Sequence, residues 1–465
     1  MIKIDEKITP RGLENKILKM FEISAEKIDR LNKTWNFENG SPVFTVHGSY
    51  TTRGWTEWTQ GFQFGSEILQ FDATSDKKYL ESGRDKVFRF MAPHISHTGV
   101  HDHGFNNVST YGNLLRLRNA NRFRGDAREK DFYELAIKLS GAVQTARWTP
   151  LPNGLGYVYS FNGPHSLFAD TIRSMRALAL GHKLGHHLLG ENDEKINLLK
   201  RILQHAETTA RYNVYFGEGR DIYDLRGRVA HESIFNINDG SYRCPNSQQG
   251  YSPFSTWTRG LAWILLGYSE QLEFLQALPE QQFTGISIGP CDTKQAFLDR
   301  FLQVSTAVAD FYLENTPADG IPYWDTGAPG LAHLPDHLDK AADPFNDLEP
   351  VDSSAAGIAA QGMLRLGQFL QNKGLEVAGT KYFQAGLTIA NTLFDRPYLS
   401  IDDDHEGLIL HSVYHRPNGW DYIPENRKVP CGESSMWGDY HARELGLYLL
   451  RIIDGGPYYT FFDPI

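Results

Sequence analysis

The strongest constraint on the fold is a hydrophobic period of 3.6 residues that recurs in segment after segment and leaves little room for strands. Leu13, Ile17, Phe21, Ile28 and Leu31 share one face between residues 11 and 33. The same pattern predicts helices over 57–71, 77–92, 105–121, 127–147, 166–188, 192–212, 258–277, 293–315, 352–372, 376–396 and 437–454. No Pro/Ser-rich linker separates these twelve segments, so the 465 residues are expected to form a single domain, 1–465. The 41% hydrophobic and 22% charged content is that of a chain that folds.

Twelve helices suggest an all-α fold, an (α/α)6 toroid of six helical hairpins in which every second helix lines the inside. An open stack of hairpins uses the same units. The two differ in where chemistry collects, because in a closed ring the loops entering the inner helices converge at one end. The chemically rich segments do precede even-numbered helices. GWTEWTQGF opens the second, HTGVHDHGF the fourth, FNGPHSLFAD the sixth, QQGYSPFSTWTRG the eighth and ESSMWGDY the twelfth. IPYWDTG lies on the way to the tenth, whose start is the small-residue run DSSAAGIAA, with Asp352 or Ser353 placed to cap it.

Charge excludes some partners. Forty-six Lys and Arg against 56 Asp and Glu give a net charge of -10, with no basic excess for nucleic acid. Cys244, Cys291 and Cys431 are too scattered for a disulfide scaffold or a cysteine-rich zinc site. No apolar run reaches membrane-spanning length, so no membrane partner is expected. The N-terminus lacks the apolar stretch of a secretory signal, which points to the cytoplasm, or to the periplasm if a signal has been removed.

Two carboxylates stand at the proposed open end. Asp102 lies in His101-Asp102-His103-Gly104-Phe105, and Asp170 opens an apolar helix. A pair of carboxyl groups across a cleft is the basic equipment of glycosidic chemistry, one donating a proton and the other orienting water or stabilising positive charge. Burial and a neighbouring carboxylate both raise a carboxyl pKa, so Asp170, in the more apolar setting, is expected to be the acid. Either residue would alternatively be a plain helix cap. His94, His97, His101 and His103 resemble a metal nest, but with one acid and no cysteine among them no metal is expected. Trp257, Arg259 and Trp263 occupy the first turns of the eighth helix, and the four-residue spacing puts Arg259 and Trp263 on one face, a charged fork beside a stacking plane. The run Arg116, Arg118, Arg122, Arg124 and Arg128 is a candidate for the cleft rim or a solvated helix end.

Taken together, GWTEWTQGF, HDHGF, the helix of Asp170, QQGYSPFSTWTRGLAW, IPYWD, DSSAAGIAA, GLILHSVYHRP and ESSMWGDY resemble, in order, the unsaturated glucuronyl hydrolases, from Trp55 to about Arg451. QGYS followed by WTRGLAW is the most specific piece. The resemblance implies an α/α-toroid glycoside hydrolase without cofactor, removing a 4,5-unsaturated uronic acid from lyase-produced oligosaccharides by hydrating the double bond. It implies that Asp170 protonates C4 and that Asp102 holds the ring and tunes its partner. Trp58 and Trp263 then correspond to stacking residues, and Gln249, Arg259 and His231 to polar contacts. Gln248, where His or Arg is frequent, and Ser174, where Asn is, depart from the pattern, as does a long segment from Pro417 to Cys431. The lack of a Ser and Lys pattern near HSVYHRP argues against sulfated substrates, unless Arg416, Arg427 or Lys428 serves instead. Rival readings are an unsaturated rhamnogalacturonyl hydrolase, a saturated uronidase, a polysaccharide lyase using Tyr251 and His231, and a sugar-binding protein without turnover.

Overall fold

The computed structural model describes residues 1–54 and 57–465; Trp55 and Thr56, inside GWTEWTQGF, lie outside the described residues. The long helices are α1 (Pro10–Thr34), α2 (Gln60–Thr74), α3 (Lys77–Phe90), α4 (His103–Asn107, a π turn over Val108–Gly112, then Asn113–Asn119) and α5 (Ala127–Ala146). They continue with α6 (Thr171–Ser174, then Arg176–Lys183), α7 (Leu198–Tyr212), α8 (Thr258–Ala277), α9 (Lys294–Asn315), α10 (Ser353–Asn372), α11 (Glu376–Leu393) and α12 (Met436–Ile453). Capping follows the sequence: Thr9, Asp76, Asp126, Asn197, Thr293, Asp352 and Ser435 each accept a backbone N–H from the first turn of α1, α3, α5, α7, α9, α10 and α12.

The even-numbered helices close a ring. Packing runs α2 on α4, α4 on α6, α6 on α8, α8 on α10, α10 on α12 and α12 back on α2, while α3, α5, α7, α9 and α11 each cover an inner helix from outside and α1 covers α12. Burial matches this: α8 is buried continuously from Thr258 to Leu275, whereas α1 buries only a stripe such as Leu13, Ile17, Met20 and Phe21. The inner helices approach at glycines. A methyl group on Gly104 of α4 would sit 2.4 Å from Ser174 Cα and 2.3 Å from Ser174 O of α6. Below this contact the centre of the ring is filled by paired charge, with Arg173 Nε 2.6 Å from Glu270 and Nη2 2.8 Å from Glu444, all fully buried. Removing one member of such a pair costs about 3–5 kcal/mol.

Two expectations are corrected. The helix expected over 166–188 is preceded by a strand: β1 (Ser166–Phe168) pairs antiparallel with β2 (Glu232–Phe235), which pairs with β3 (Tyr242–Asn246). A short apolar run cannot be told from a helical turn by period alone, and here the partner strand decides. The helix expected to begin at 192 starts at Leu198, after a small hairpin of Leu188–Leu189 with Lys195–Ile196. Among the described residues no helix is long and apolar enough to cross a membrane.

Candidate active site

The entries to α2, α4, α6, α8 and α12 meet around a cleft of about 540 Å³. Its floor carries His101, Asp102 and Asp170. Its walls are aromatic: Trp58 and Phe105 on one side, Phe161 and Phe168 on another, then Trp257, Trp263, Tyr414 and Trp420. Gln248, Gln249, Arg259 and His415 supply the remaining polar lining.

Asp170 is placed by β1 and held there because Ala169 N donates to His231 O at 2.8 Å. Asp102 stands before α4, and α4 is locked to α6 by Gly104 N donating to Ser174 Oγ at 2.9 Å while Ser174 Oγ donates to His101 O. Neither aspartate side chain caps its helix. They face His101 instead: its Nε2 lies 2.9 Å from Asp170 Oδ2 and 3.9 Å from Asp102 Oδ1. Asp170 Oδ1 is buried without a hydrogen-bond partner, 3.8 Å from His231 Nε2.

This arrangement reverses the expected order of acidity. Burial pushes Asp170 up, but the hydrogen bond and charge of His101 outweigh it and hold the carboxyl below its ordinary range. Burial also raises Asp102, and there the opposing pull of His101 does not cancel it, so Asp102 is the carboxyl that resists ionisation. His101 itself is lowered by burial yet ends above the usual histidine range because Asp102 and Asp170 favour its charged form. The physical reason is contact: a histidine 69 positions away in sequence, at 2.9 Å, counts for more than an apolar helix start.

The other histidines of the apparent nest are structural. His94 pairs with Gln60 at 2.8 Å and His103 with Ser140 at 2.9 Å and His97 O at 2.8 Å, and burial lowers both to about 4. His101, Asp102 and Asp170 form the one group among the described residues whose donor atoms, within 4.8 Å of one another, could share a cation. A cation there would compete with the hydrogen bond between His101 and Asp170.

Trp58 and Trp263 sit on the cleft wall, Trp58 stacked on Trp437 at 5.0 Å and 27° and Trp263 against Phe105 at 5.0 Å. Gln249 is oriented by Arg259, whose Nη2 donates to its Oε1 at 2.9 Å, which leaves the amide Nε2 to donate. The expected charged fork is itself occupied: Nη1 of Arg259 pairs with Asp352 at 2.8 Å and donates to Val413 O, and Nη2 also donates to Tyr414 O at 2.7 Å. Arg259 therefore fastens the Tyr414 loop and Gln249 to the cleft. His231 stands behind the wall, its Nδ1 accepting from Gln248 N at 3.1 Å and Gln249 N at 3.2 Å, and burial lowers it to about 3. Ser174 clamps α4 to α6 rather than facing the cleft, whereas Gln248 lines it with its Oε1 unpartnered. The arginine run is no cleft rim, because Arg116 and Arg122 lie toward the far end of α4 and bind Asp72 at 2.7 and 2.8 Å.

The pairing of His101 with Asp170 and the cleft positions of Tyr414, His415 and Trp420 escaped sequence reasoning. The motifs HDHGF and GLILHSVYHRP carried the only signal for His101, Tyr414 and His415, and the long segment from Pro417 to Cys431 the only one for Trp420.

No family model matches the chain. An unsaturated glucuronyl hydrolase of Bacillus sp. (strain GL1) is 26% identical over 414 residues, 86% of this chain and 88% of that protein. One from Formosa agariphila is 23% identical over 398 residues, 83% of this chain and 78% of that protein. The chain is a relative of the unsaturated glucuronyl hydrolases. The fold agrees: the crystal structure of an unsaturated glucuronyl hydrolase specific for heparin superposes with a TM-score of 0.71 at 18% identity, covering 95% of this chain and 98% of that one. In this relative of that family, Asp102, Asp170, Trp58 and Trp263 fall in a single cleft.

Proposed function

We propose that this protein removes a 4,5-unsaturated uronic acid from the non-reducing end of lyase-produced oligosaccharides by hydrating the double bond. The observation that carries this reading is the cluster of Asp102, His101 and Asp170 on the floor of an aromatic-walled cleft. A vinyl ether is cleaved by one well-placed acid and a stabilised oxocarbenium-like charge, and no nucleophile or metal is needed. Asp170, whose carboxyl rests below the ordinary range, must be loaded with a proton before each turnover; once loaded it protonates C4, water adds at C5, and the resulting hemiketal opens to release the leaving sugar. Trp58 and Trp263 stack on the uronate ring, Asp102 holds its hydroxyls, and Gln249, set by Arg259, donates to it. His231 acts through the Gln248–Gln249 turn.

Names of relatives support the substrate class. Solved neighbours include a complex with dGlcA-Glc-Rha-Glc and, for an enzyme of Streptococcus agalactiae, one with dGlcA-GalNAc6S. The lyase reading finds no support in the geometry, since Tyr251 is 52% exposed and absent from the cleft lining while His231 is buried.

The test is ultraviolet absorbance of unsaturated disaccharides from several lyases, incubated with the wild type and with Asp170→Asn. Absorbance should fall with the wild type alone, and the fastest substrate names the polymer. A rise on intact polymer would identify a lyase, and no change on any unsaturated substrate would overturn the proposal.

A further inference from the structure

The floor of the cleft contains a group that the reaction as described leaves unused. His101 is buried, and its Nε2 lies 2.9 Å from Asp170 Oδ2, so the two share a proton across a full-strength hydrogen bond. We propose that His101 is a positioning residue that stores, across this contact, the proton Asp170 delivers to the substrate. The inference rests on the hydration reading above.

Three features of the site support it. First, the companion histidine cannot do the same work: two backbone amides donate to His231 Nδ1, which fixes its proton on Nε2, and burial keeps that ring neutral. Second, His101 Nδ1 is buried without a partner, so the doubly protonated ring carries an unsatisfied donor. Both arrangements, imidazolium with carboxylate and imidazole with carboxylic acid, keep that N–H, and burial disfavours the charge-separated one, which eases transfer of the Nε2 proton to Asp170. Third, the charged and titratable groups around the ring are Asp102, Asp170, Arg147, His103, His205 and His231. The two aspartates favour the imidazolium and Arg147 opposes it, with the net in favour of retaining the proton past the ordinary histidine range. The pair then loses its single proton as one unit.

Protons balance over the cycle. The stored proton moves from Nε2 to the Asp170 carboxyl and from there to C4, forming the C–H bond as the double-bond electron pair is used. Water adds its oxygen at C5 and releases a proton to the Asp170 carboxylate, which returns it to His101. One water is consumed and the enzyme is unchanged.

The experiment compares kcat/KM against pH for the wild type and His101→Gln on the best unsaturated disaccharide. With the store intact, activity persists through neutral pH. Without it, the alkaline limb should move down by about one pH unit or more toward the carboxyl range, with KM changed less than about twofold. A uniform loss of kcat with an unmoved limb would show a mere structural prop and overturn the proposal. A readout independent of turnover is NMR of the wild type, following the Asp170 side-chain carbon and the His101 ring nitrogens. The proposal requires both to respond over one shared pH interval; Asp170 titrating alone beside a permanently neutral His101 refutes it. This second measurement stands even if His101→Gln fails to fold or no unsaturated uronide is turned over, so its failure is distinct from failure of the hydration reading.

Discussion

Gly104→Ala probes how precisely His101 and Asp170 are placed, without touching a titratable group. The new methyl would lie 2.4 Å from Ser174 Cα and 2.3 Å from Ser174 O, both backbone atoms that cannot swing aside. An ordinary contact begins near 3.4 Å, so α4 and α6 must separate by about 1 Å. Asp102 and His101 travel with α4 and Asp170 with the start of α6, so the 2.9 Å contact between His101 and Asp170 opens toward about 4 Å and the hydrogen bond is lost. A displacement of this size costs about a hundredfold in rate. Overpacking of this kind costs about 1–3 kcal/mol of stability, which leaves the protein folded. The assay is kcat/KM from absorbance loss, with thermal unfolding in parallel and Gly456→Ala as control, since nothing lies within 4 Å of a methyl group there. A Gly104→Ala enzyme within about threefold of wild type would refute the claim that the helix contact sets the catalytic distance.

Other substitutions separate the roles of the lining residues. Asp102 has its folded-state pKa raised by burial, so its ionisation opposes folding and stability is lost as pH rises through that value; Asp102→Asn should therefore lose most activity yet gain thermal stability over the wild type at pH above neutrality, seen by melting at acid and alkaline pH. Asp352→Ala leaves the buried Arg259 guanidinium without its carboxylate and should cost about 3–5 kcal/mol while raising KM through release of Gln249 and the Tyr414 loop, measured by denaturant unfolding and steady-state kinetics. Trp58→Ala removes a half-buried stacking plane and should raise KM by about two- to tenfold with a smaller change in kcat, in line with about 0.5–1.5 kcal/mol for an aromatic contact.

Much of the ring was legible because inner helices announce themselves twice, once by their period and once by the chemistry that precedes them. DSSAAGIAA, GWTEWTQGF and QQGYSPFSTWTRG mark starts that the structure places near Ser353, Gln60 and Thr258. The stretch 166–168 turns out to be a strand because so short a run, Ser166-Leu167-Phe168, fits a strand as well as a helix, and the deciding partner, Glu232–Phe235, lies far along the chain. The order in which the two carboxyl groups ionise differs from expectation for the same reason. Local sequence around Asp170 is apolar, but the group that sets its charge arrives from the loop before another helix, and the Asp352 carboxylate that occupies Arg259 likewise precedes a distant helix. The arginine run reads as a cleft rim or a solvated helix end because its two- and four-residue spacings do not say which end of the ring a helix turn occupies.

Addition of water across C4 and C5 is the central claim, and the reaction run in heavy water tests it most directly. Product from an unsaturated disaccharide should carry one deuterium at C4 and no remaining double bond, with neither change in Asp170→Asn. Cleavage of the linkage that leaves the double bond intact and C4 free of deuterium would contradict the account.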